Sequence, residues 1–178
     1  MRLSQRELTL ADSRQVSQLL HSISDLERIG DHAANIVYPL ERQPAFSEIA
    51  RTQLNTLYAA TEEILSMTVA ALDNDDLSLA KRIEPLEQVV DRIKEQLRRR
   101  HIERLQQGTC TIEAGFVWAD LLTDLGRVSD HCSNIAGGVI DLQQQTMNIH
   151  EAQRTMKSES EEYKELYRAY KAKYLQNV

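Results

Sequence analysis

Acidic side chains stand at helical spacing in two parts of this 178-residue sequence, where they could hold a metal ion. Glu27 and Asp31 are four residues apart, and so are Glu87 and Asp91, so each pair shares one face of a helix. Carboxylates on facing helices supply the oxygen ligands of metal sites in helical bundles. The alternative interpretation is that these acids only solvate an exposed helix face, as most acidic side chains do.

The sequence also contains two similar stretches, residues 24–36 and 123–135, which align without gaps at an offset of 99 positions. Asp31 of the first stretch corresponds to Asp130 of the second, and the shared residue types are Asp, Leu, Arg, Asp, His, Asn and Ile. Gly126 stands in the second stretch where the first has an acid. A repeat of this length indicates two copies of one supersecondary unit.

Three of the shared residue types predict a polar network between helices. A histidine beside an apolar stripe is usually packed and hydrogen-bonded rather than a metal ligand. Its repetition together with Arg and Asn therefore favours a structural role. The predicted network consists of Arg28, His32, Asn35, Arg127, His131 and Asn134.

These residues must be positioned by helices, because apolar residues recur three and four positions apart along nearly the whole chain. Pro39 and Pro44 close the first helical segment, and Ser47 is suited to cap the next one. Gly108 and Thr111 mark a short loop between two later segments. The first segment carries the apolar stripe Val16, Leu19, Ile23, Leu26, Gly30, Ala33 and Val37.

The sequence thus predicts an all-α protein, an elongated antiparallel helical bundle that forms a single domain over residues 1–178. Residues 47–146 make one complete three-helix repeat, in which Pro85 should kink or restart a helix. Residues 1–42 are the last helix of a truncated preceding repeat, and residues 151–176 form a tyrosine-rich C-terminal helix. Either other helices of this chain cover the first apolar stripe, or the chain is cut from a longer protein that supplies the covering helices. We favour the second alternative.

Composition excludes several classes of protein. The chain has 21 Lys and Arg against 27 Asp and Glu, a net charge of −6, which argues against nucleic acid as a partner. No apolar run approaches the length of a membrane span, and Cys110 and Cys132 are too few for a disulfide framework. The sequence contains no Glu-x-x-His pair, Gly-rich phosphate loop or nucleophile elbow, so we expect no enzyme activity.

Tyrosines recur along one face of the last segment, from Tyr163 to Tyr174. Such a row is more typical of packing or of a docking surface than of a cofactor site. An unmatched row on a truncated bundle would also favour self-association into a homo-oligomer.

Residues 25–36, with the sequence DLERIGDHAANI, resemble the signature that closes each three-helix repeat of the PhoU family of phosphate-uptake regulators. Residues 83–93, IEPLEQVVDRI, are similar to the acidic motif in the middle helix of that family. The resemblance covers most of residues 1–146 and implies a helical bundle of PhoU type.

The resemblance also implies metal ligands, because PhoU relatives bind multinuclear iron or zinc clusters through paired Glu/Asp-x-x-x-Asp motifs. The missing helices of the first repeat and the glycine at position 126 would leave both clusters incomplete in this chain. The positions that match the ligand motifs are Glu27, Asp31, Glu87, Asp91 and Asp130.

Residues 3–8 and the tyrosine-rich end are similar to the PhoU-like C-terminal domain of bacterial sodium/phosphate cotransporters. This resemblance implies a regulatory, non-enzymatic domain attached to the membrane transport domain of the same polypeptide, at the cytoplasmic face of the cell membrane. Two alternatives stay open. One is a free-standing PhoU-type adaptor of phosphate signalling, which would contact a kinase or an ABC transporter. The other is a carboxylate-metal enzyme of the helical-bundle type.

Overall fold

The computed structural model of the protein describes residues 9–41, 46–144 and 160–177. Within these residues every regular element is helical and no strand occurs, which confirms the predicted all-α class. No helix among them combines the length and the hydropathy needed to cross a membrane. The helices are α1 (Leu10–Glu41), α2 (Glu48–Asp73), α3 (Leu77–Ala80), α4 (Ile83–Gln106), α5 (Ile112–Gln144) and α6 (Glu161–Tyr174), followed by a 3-10 turn (Leu175–Asn177).

The starts of α2 and α5 are fixed by side-chain caps. The hydroxyl of Ser47 accepts a hydrogen bond of 3.3 Å from the backbone N–H of Ala50. Thr111 accepts one of 3.2 Å from the backbone N–H of Ala114 in the same way. Gly108, in the loop before α5, has a φ of 67°, which glycine adopts without steric cost. These boundaries agree with the sequence prediction because each signal is local.

The chain between α2 and α4 is interrupted. Helix α3 ends at Ala80 and α4 begins at Ile83, which confirms the predicted restart near Pro85. Pro85 lies in the first turn of α4, where the helix leaves backbone N–H groups without partners and proline therefore costs no hydrogen bond. Asp76 caps α3 by accepting a hydrogen bond of 2.9 Å from the backbone N–H of Leu79.

Contacts near the helix ends give the directions of the three main helices. Helix α4 runs antiparallel to α5, because Glu84 contacts Ser133 while His101, at the other end of α4, stacks on Trp118. Phe46, just before α2, packs edge-on against Trp118 with ring centroids 5.4 Å apart. Helices α2 and α5 therefore begin at the same end of the bundle, and α4 runs between them in the opposite direction.

The core of the bundle lies between α2, α4 and α5. These helices fall within residues 47–146, which the sequence assigns to one complete three-helix repeat. Their apolar faces meet in a single cluster, to which α1 and α6 add a few residues each. The largest fully buried side chains are Leu57, Ile64, Ile83, Leu86, Val89, Val90, Ile93, Leu97, Trp118, Leu121, Leu122 and Ile135.

The tyrosine face of α6 is covered by the bundle. Tyr170 and Tyr174 are buried, and the hydroxyl of Tyr170 lies 3.6 Å from Sδ of Met67 in α2. The hydroxyl of Tyr174 donates a hydrogen bond to the carboxylate of Glu63. The expectation of an unmatched tyrosine row is therefore wrong, because α2 and α4 pack against it. The predicted start of this helix at residue 151 lies outside the described residues.

Helix α1 packs on α5 through a face that differs from its apolar stripe. Its buried residues are Gln18, Ser22, Ile29 and Ile36. The stripe faces away from the described helices, and Ile23, for example, is 60% exposed. Among the described residues, nothing covers this face, whereas the core helices bury theirs.

A close approach of α1 to α5 explains one glycine of the pair at positions 137 and 138 of α5. Helix α5 continues through both glycines. The side chain of Gln18 lies against Gly138, at a position that any Cβ atom there would occupy. Glycine at this position therefore lets α1 pack closely on α5.

Candidate functional site

The two copies of the repeated motif meet where α1 crosses α5. Nδ1 of His131 lies 2.8 Å from Oδ1 of Asp25, and Nδ1 of His32 lies 2.8 Å from Oδ1 of Asp124. Since Asp25 corresponds to Asp124 and His32 to His131 at the 99-residue offset, the two pairs are equivalent. The two imidazole rings stack between them, with centroids 5.7 Å apart. The motif copies are thus related by an approximate two-fold axis between antiparallel helices.

The chemistry of these pairs is that of an interhelical clamp. An ionised carboxylate can only accept hydrogen bonds, so Nδ1 of each histidine carries a proton and is the hydrogen-bond donor. The four side chains are 14–22% exposed, so water competes only partly with these hydrogen bonds. Asn134 adds a longer contact of 3.5 Å to Asp25.

The predicted network residues are divided between two locations. His32, His131 and Asn134 contact the opposite helix at the crossing. Arg28 and Asn35 are exposed on α1, and Arg127 is exposed with a contact to Asp130 in its own helix. The acceptors, Asp25 and Asp124, were not predicted from the sequence, although both are repeated at the same offset as the histidines.

Three of the predicted metal ligands lie together between α4 and α5. Glu87 and Asp91 in α4 and Asp130 in α5 each have a carboxylate oxygen within 4.8 Å of the others. Glu87 is buried, and the other two are partly exposed. Glu84, one turn before Glu87, is also buried and accepts a hydrogen bond of 2.5 Å from Ser133 of α5.

Each of the three clustered carboxylates accepts a hydrogen bond from a side chain of its own helix. The amide of Gln88 donates to Glu87 at 2.8 Å, and the ammonium of Lys94 donates to Asp91 at 2.5 Å. The guanidinium of Arg127 lies 3.5 Å from Asp130. The cluster therefore carries three formal negative charges and two formal positive ones in its immediate surroundings.

The residues present do not fit a multinuclear metal cluster. The position that would supply a further acid is Gly126, and the space beside it is filled by the side chain of Lys94. A Cβ atom at position 126 would lie 2.9 Å from Nζ of Lys94. An ammonium group that is bonded to one of the three acids opposes the binding of a metal cation there.

The acids of the first motif copy have a different environment. Glu27 and Asp31 are exposed on α1, and among the described residues they belong to no cluster of three or more ligand side chains. Their role as metal ligands stays a prediction. The two copies thus differ in their acids as well as in their burial.

Helix α6 lies beside the acids at the start of α4. Burial raises the pKa of Tyr163 well above its usual value, and the negative charges of Glu84 and Glu87 raise it further. The ring of Tyr167 lies under the guanidinium of Arg92, 5.5 Å from its centroid. The C-terminal helix therefore limits the access of solvent to the buried carboxylates.

The opposite end of the bundle is built around Trp118. His101 stacks on its ring with centroids 6.0 Å apart, and the guanidinium of Arg104 lies 4.8 Å from the ring centroid. Burial lowers the pKa of His101, and the positive charge of Arg104 lowers it further. Arg104 also donates a hydrogen bond of 3.1 Å to Gln53, which joins the end of α4 to α2.

A groove of about 730 Å³ lies beside this end, between α2 and α4. Arg99, Arg100 and Arg104 line it together with Glu103 and Ile49. Guanidinium groups in such a position can bind carboxylate or phosphate oxygens through paired N–H donors. This cluster was not predicted from the sequence, although the run of arginines before His101 was a signal in an otherwise acidic chain.

Comparison with known protein families matches the chain to a family described as "PhoU domain". It matches residues 1–39 and 54–139. The matched residues include both copies of the repeated motif and the three clustered acids. No solved structure matches the chain.

Several named proteins are similar to this chain. The phosphate-specific transport system accessory protein PhoU homolog 1 of Thermotoga maritima is 29% identical over 156 residues, which are 85% of this chain and 66% of the relative. The PhoU homolog of Deinococcus radiodurans is 25% identical over 70% of this chain and 59% of its own length. The PhoU protein of Serratia marcescens is 28% identical over 75% of this chain and 55% of its own length. The chain thus spans less than two thirds of these relatives.

Proposed function

Since the chain belongs to the PhoU family, we propose that it acts as a regulatory accessory protein of phosphate transport and has no enzyme activity of its own. The observation that carries this proposal is the match to the PhoU family over both motif copies. The similar proteins from Thermotoga maritima and Serratia marcescens are named as accessory proteins of a phosphate-specific transport system.

The geometry of the site supports a regulatory rather than a catalytic role. Among the described residues, the motifs singled out in the sequence form two His–Asp pairs and a carboxylate cluster with its own cationic neighbours. The His–Asp pairs join α1 to α5, and the carboxylate cluster lies between α4 and α5 with its charge partly compensated. A protein of this kind acts through contacts with a partner, and we place those contacts at the cytoplasmic face of the membrane, where the family resemblance puts them.

Of the two regulatory alternatives, the adaptor of a separate transport system has the better support. The relatives are named as accessory proteins of a transport system, whereas a sodium-dependent cotransporter with a fused domain is absent from those names. Immunoblotting of cell fractions with an antibody against this chain tests the choice. A band outside the membrane fraction supports the adaptor. A band confined to the membrane fraction would support the fused domain.

The proposed role is tested by deleting the gene and measuring phosphate uptake. We expect the deletion to change the initial rate of uptake of labelled phosphate at high external phosphate, and the wild-type gene to restore it. A variant with both Asp25→Ala and Asp124→Ala should restore it less well, because it loses the clamp between the motif copies. Equal uptake in the deleted and restored strains would contradict the proposal.

A further inference from the structure

The two motif copies differ at one position of the acidic row, where the first has Glu27 and the second has Gly126. On α5 this position faces α4, and Gly126 is buried. The neighbouring atoms belong to Lys94: a Cβ atom at position 126 would lie 2.8 Å from its Cδ and 2.9 Å from its Nζ. The side chain of Lys94 therefore fills the space that an acidic side chain at position 126 would need.

Lys94 is held in this space by more than packing. Its Nζ donates a hydrogen bond of 2.5 Å to Oδ1 of Asp91, and its side chain is only 18% exposed. Glu87 and Asp130 have carboxylate oxygens within 4.8 Å of those of Asp91. The ammonium thus bonds directly to a member of the carboxylate cluster, on the side where the second copy lacks its acid.

Charge balance gives the consequence of this arrangement. A cluster of carboxylates that lies partly out of water needs a positive charge, and a metal ion is one way to supply it. Lys94 and Arg127 supply two positive charges to Glu87, Asp91 and Asp130. A divalent cation at this place would have to displace the lysine from Asp91 or bind beside an uncompensated ammonium.

We propose that Lys94 is the resident cation of the second motif copy, and that its ammonium group takes the place of a metal ion between Asp91 and the position of Gly126. The site is then a salt bridge within α4 that packs against Gly126 of α5 and assembles without iron or zinc. This inference is independent of the proposed role in phosphate transport, because it concerns the metal affinity of the purified protein.

The experiment compares zinc binding by the wild-type protein and a variant that carries both Lys94→Ala and Gly126→Glu. All proteins are stripped with a chelator and titrated with Zn²⁺ against a chromophoric zinc indicator. We expect the variant to bind one zinc ion at least about tenfold more tightly than the wild type, because it loses an opposing charge and gains a carboxylate. Adding Asp91→Asn to the variant should abolish the gain, which locates the ion. Lys164→Ala, which removes the same charge from an exposed ion pair on α6, should leave zinc binding unchanged.

Two results would overturn the proposal. One is tight zinc binding by the wild-type protein that is lost in Asp91→Asn or Asp130→Asn while Lys94 is intact. The other is a folded double variant, with wild-type helicity by circular dichroism, that binds zinc no better than the wild type. If the double variant does not fold, the single variant Lys94→Gln is titrated beside the wild type instead. If Lys94 excludes the metal, Lys94→Gln binds zinc more tightly than the wild type. Equal zinc affinities of the two proteins would overturn the proposal.

Discussion

The same motif occurs in α1 and α5, yet only the copy in α5 is buried on two faces. Both copies use one face for the crossing with the His–Asp pairs. The other face carries the apolar stripe, where Leu125 is 2% exposed and its counterpart Leu26 is 38% exposed. The difference is larger one turn earlier, where Leu122 is 1% exposed and Ile23 is 60% exposed.

The cause of this difference is position in the bundle. Helix α5 lies between α1 on one side and the pair α2 and α4 on the other, whereas α1 packs mainly on α5. The periodicity of apolar residues is the same in both helices, so it shows that a face is suited to burial but not that this chain buries it. Equivalent positions of the two copies therefore serve as matched pairs for experiments.

The largest expected difference concerns thiol reactivity at positions 33 and 132. Cys132 is fully buried, and burial raises its pKa to about 12, so it has little thiolate. Ala33, its counterpart, is exposed. In a Cys110→Ser background with Ala33→Cys, we expect the introduced thiol to react with a maleimide at least about a thousandfold faster than Cys132. Mass spectrometry of the labelled peptides measures both rates.

Slow labelling at position 33 would show that the apolar stripe of α1 is covered in solution. Light scattering on the same sample would then distinguish a second copy of the chain, which doubles the mass, from a cover within one chain. Either result would contradict the exposed face described above for α1.

The next difference is in stability, at positions 26 and 125. Leu125→Ala removes a side chain from the core and should lower the free energy of unfolding by about 2–5 kcal/mol. Leu26→Ala removes the same atoms from a half-buried position and should cost less than about 1 kcal/mol. Urea unfolding followed by circular dichroism measures both values. Equal losses would mean that the two stripes are equally buried, which would contradict the difference in burial between α1 and α5.

At the crossing the two copies should instead behave alike. His32→Ala and His131→Ala each remove one hydrogen bond of 2.8 Å to a partly buried aspartate. Each should cost about 1–2 kcal/mol, and the two losses should agree within about 0.5 kcal/mol. Urea unfolding measures both losses. In a double-mutant cycle, Asp25→Ala should couple with His131→Ala by at least about 0.5 kcal/mol, and with His32→Ala by much less. Coupling of Asp25 to both histidines would break the assigned pairing.

Local signals in the sequence predicted much of the fold. The caps at Ser47 and Thr111 and the restart near Pro85 depend on a few neighbouring residues, so the sequence contains the whole cause. The all-α class follows from apolar periodicity in the same way. The meeting of Glu87, Asp91 and Asp130 was implied by the family resemblance, whereas the ammonium of Lys94, which argues against their role as metal ligands, was not.

Contacts between distant helices could not be predicted in this way. The pairing of Asp25 with His131 requires the antiparallel crossing of α1 and α5, which no local signal gives. The place of Lys94 over Gly126 depends on the register of α4 against α5. The tyrosines of α6 have an apolar ring and a polar hydroxyl, so their pattern is compatible with both burial and exposure. Whether they are buried depends on the neighbouring helices.

The smallest expected effect is a pH dependence of stability. It should arise near Trp118, where the apolar stripe of α5 begins. Trp118 contacts His101, whereas its counterpart Leu19 is 50% exposed. Because burial and Arg104 lower the pKa of His101, the unfolded chain takes up a proton more readily than the folded one as the pH falls below about 6.5. His101 thus contributes stability above this pH that is lost at lower pH. We expect the loss of stability in His101→Gln, measured by urea unfolding, to be larger at about pH 8 than at about pH 5. A loss that is the same at both pH values would remove His101 from the causes of acid destabilisation and leave the two copies alike in this respect.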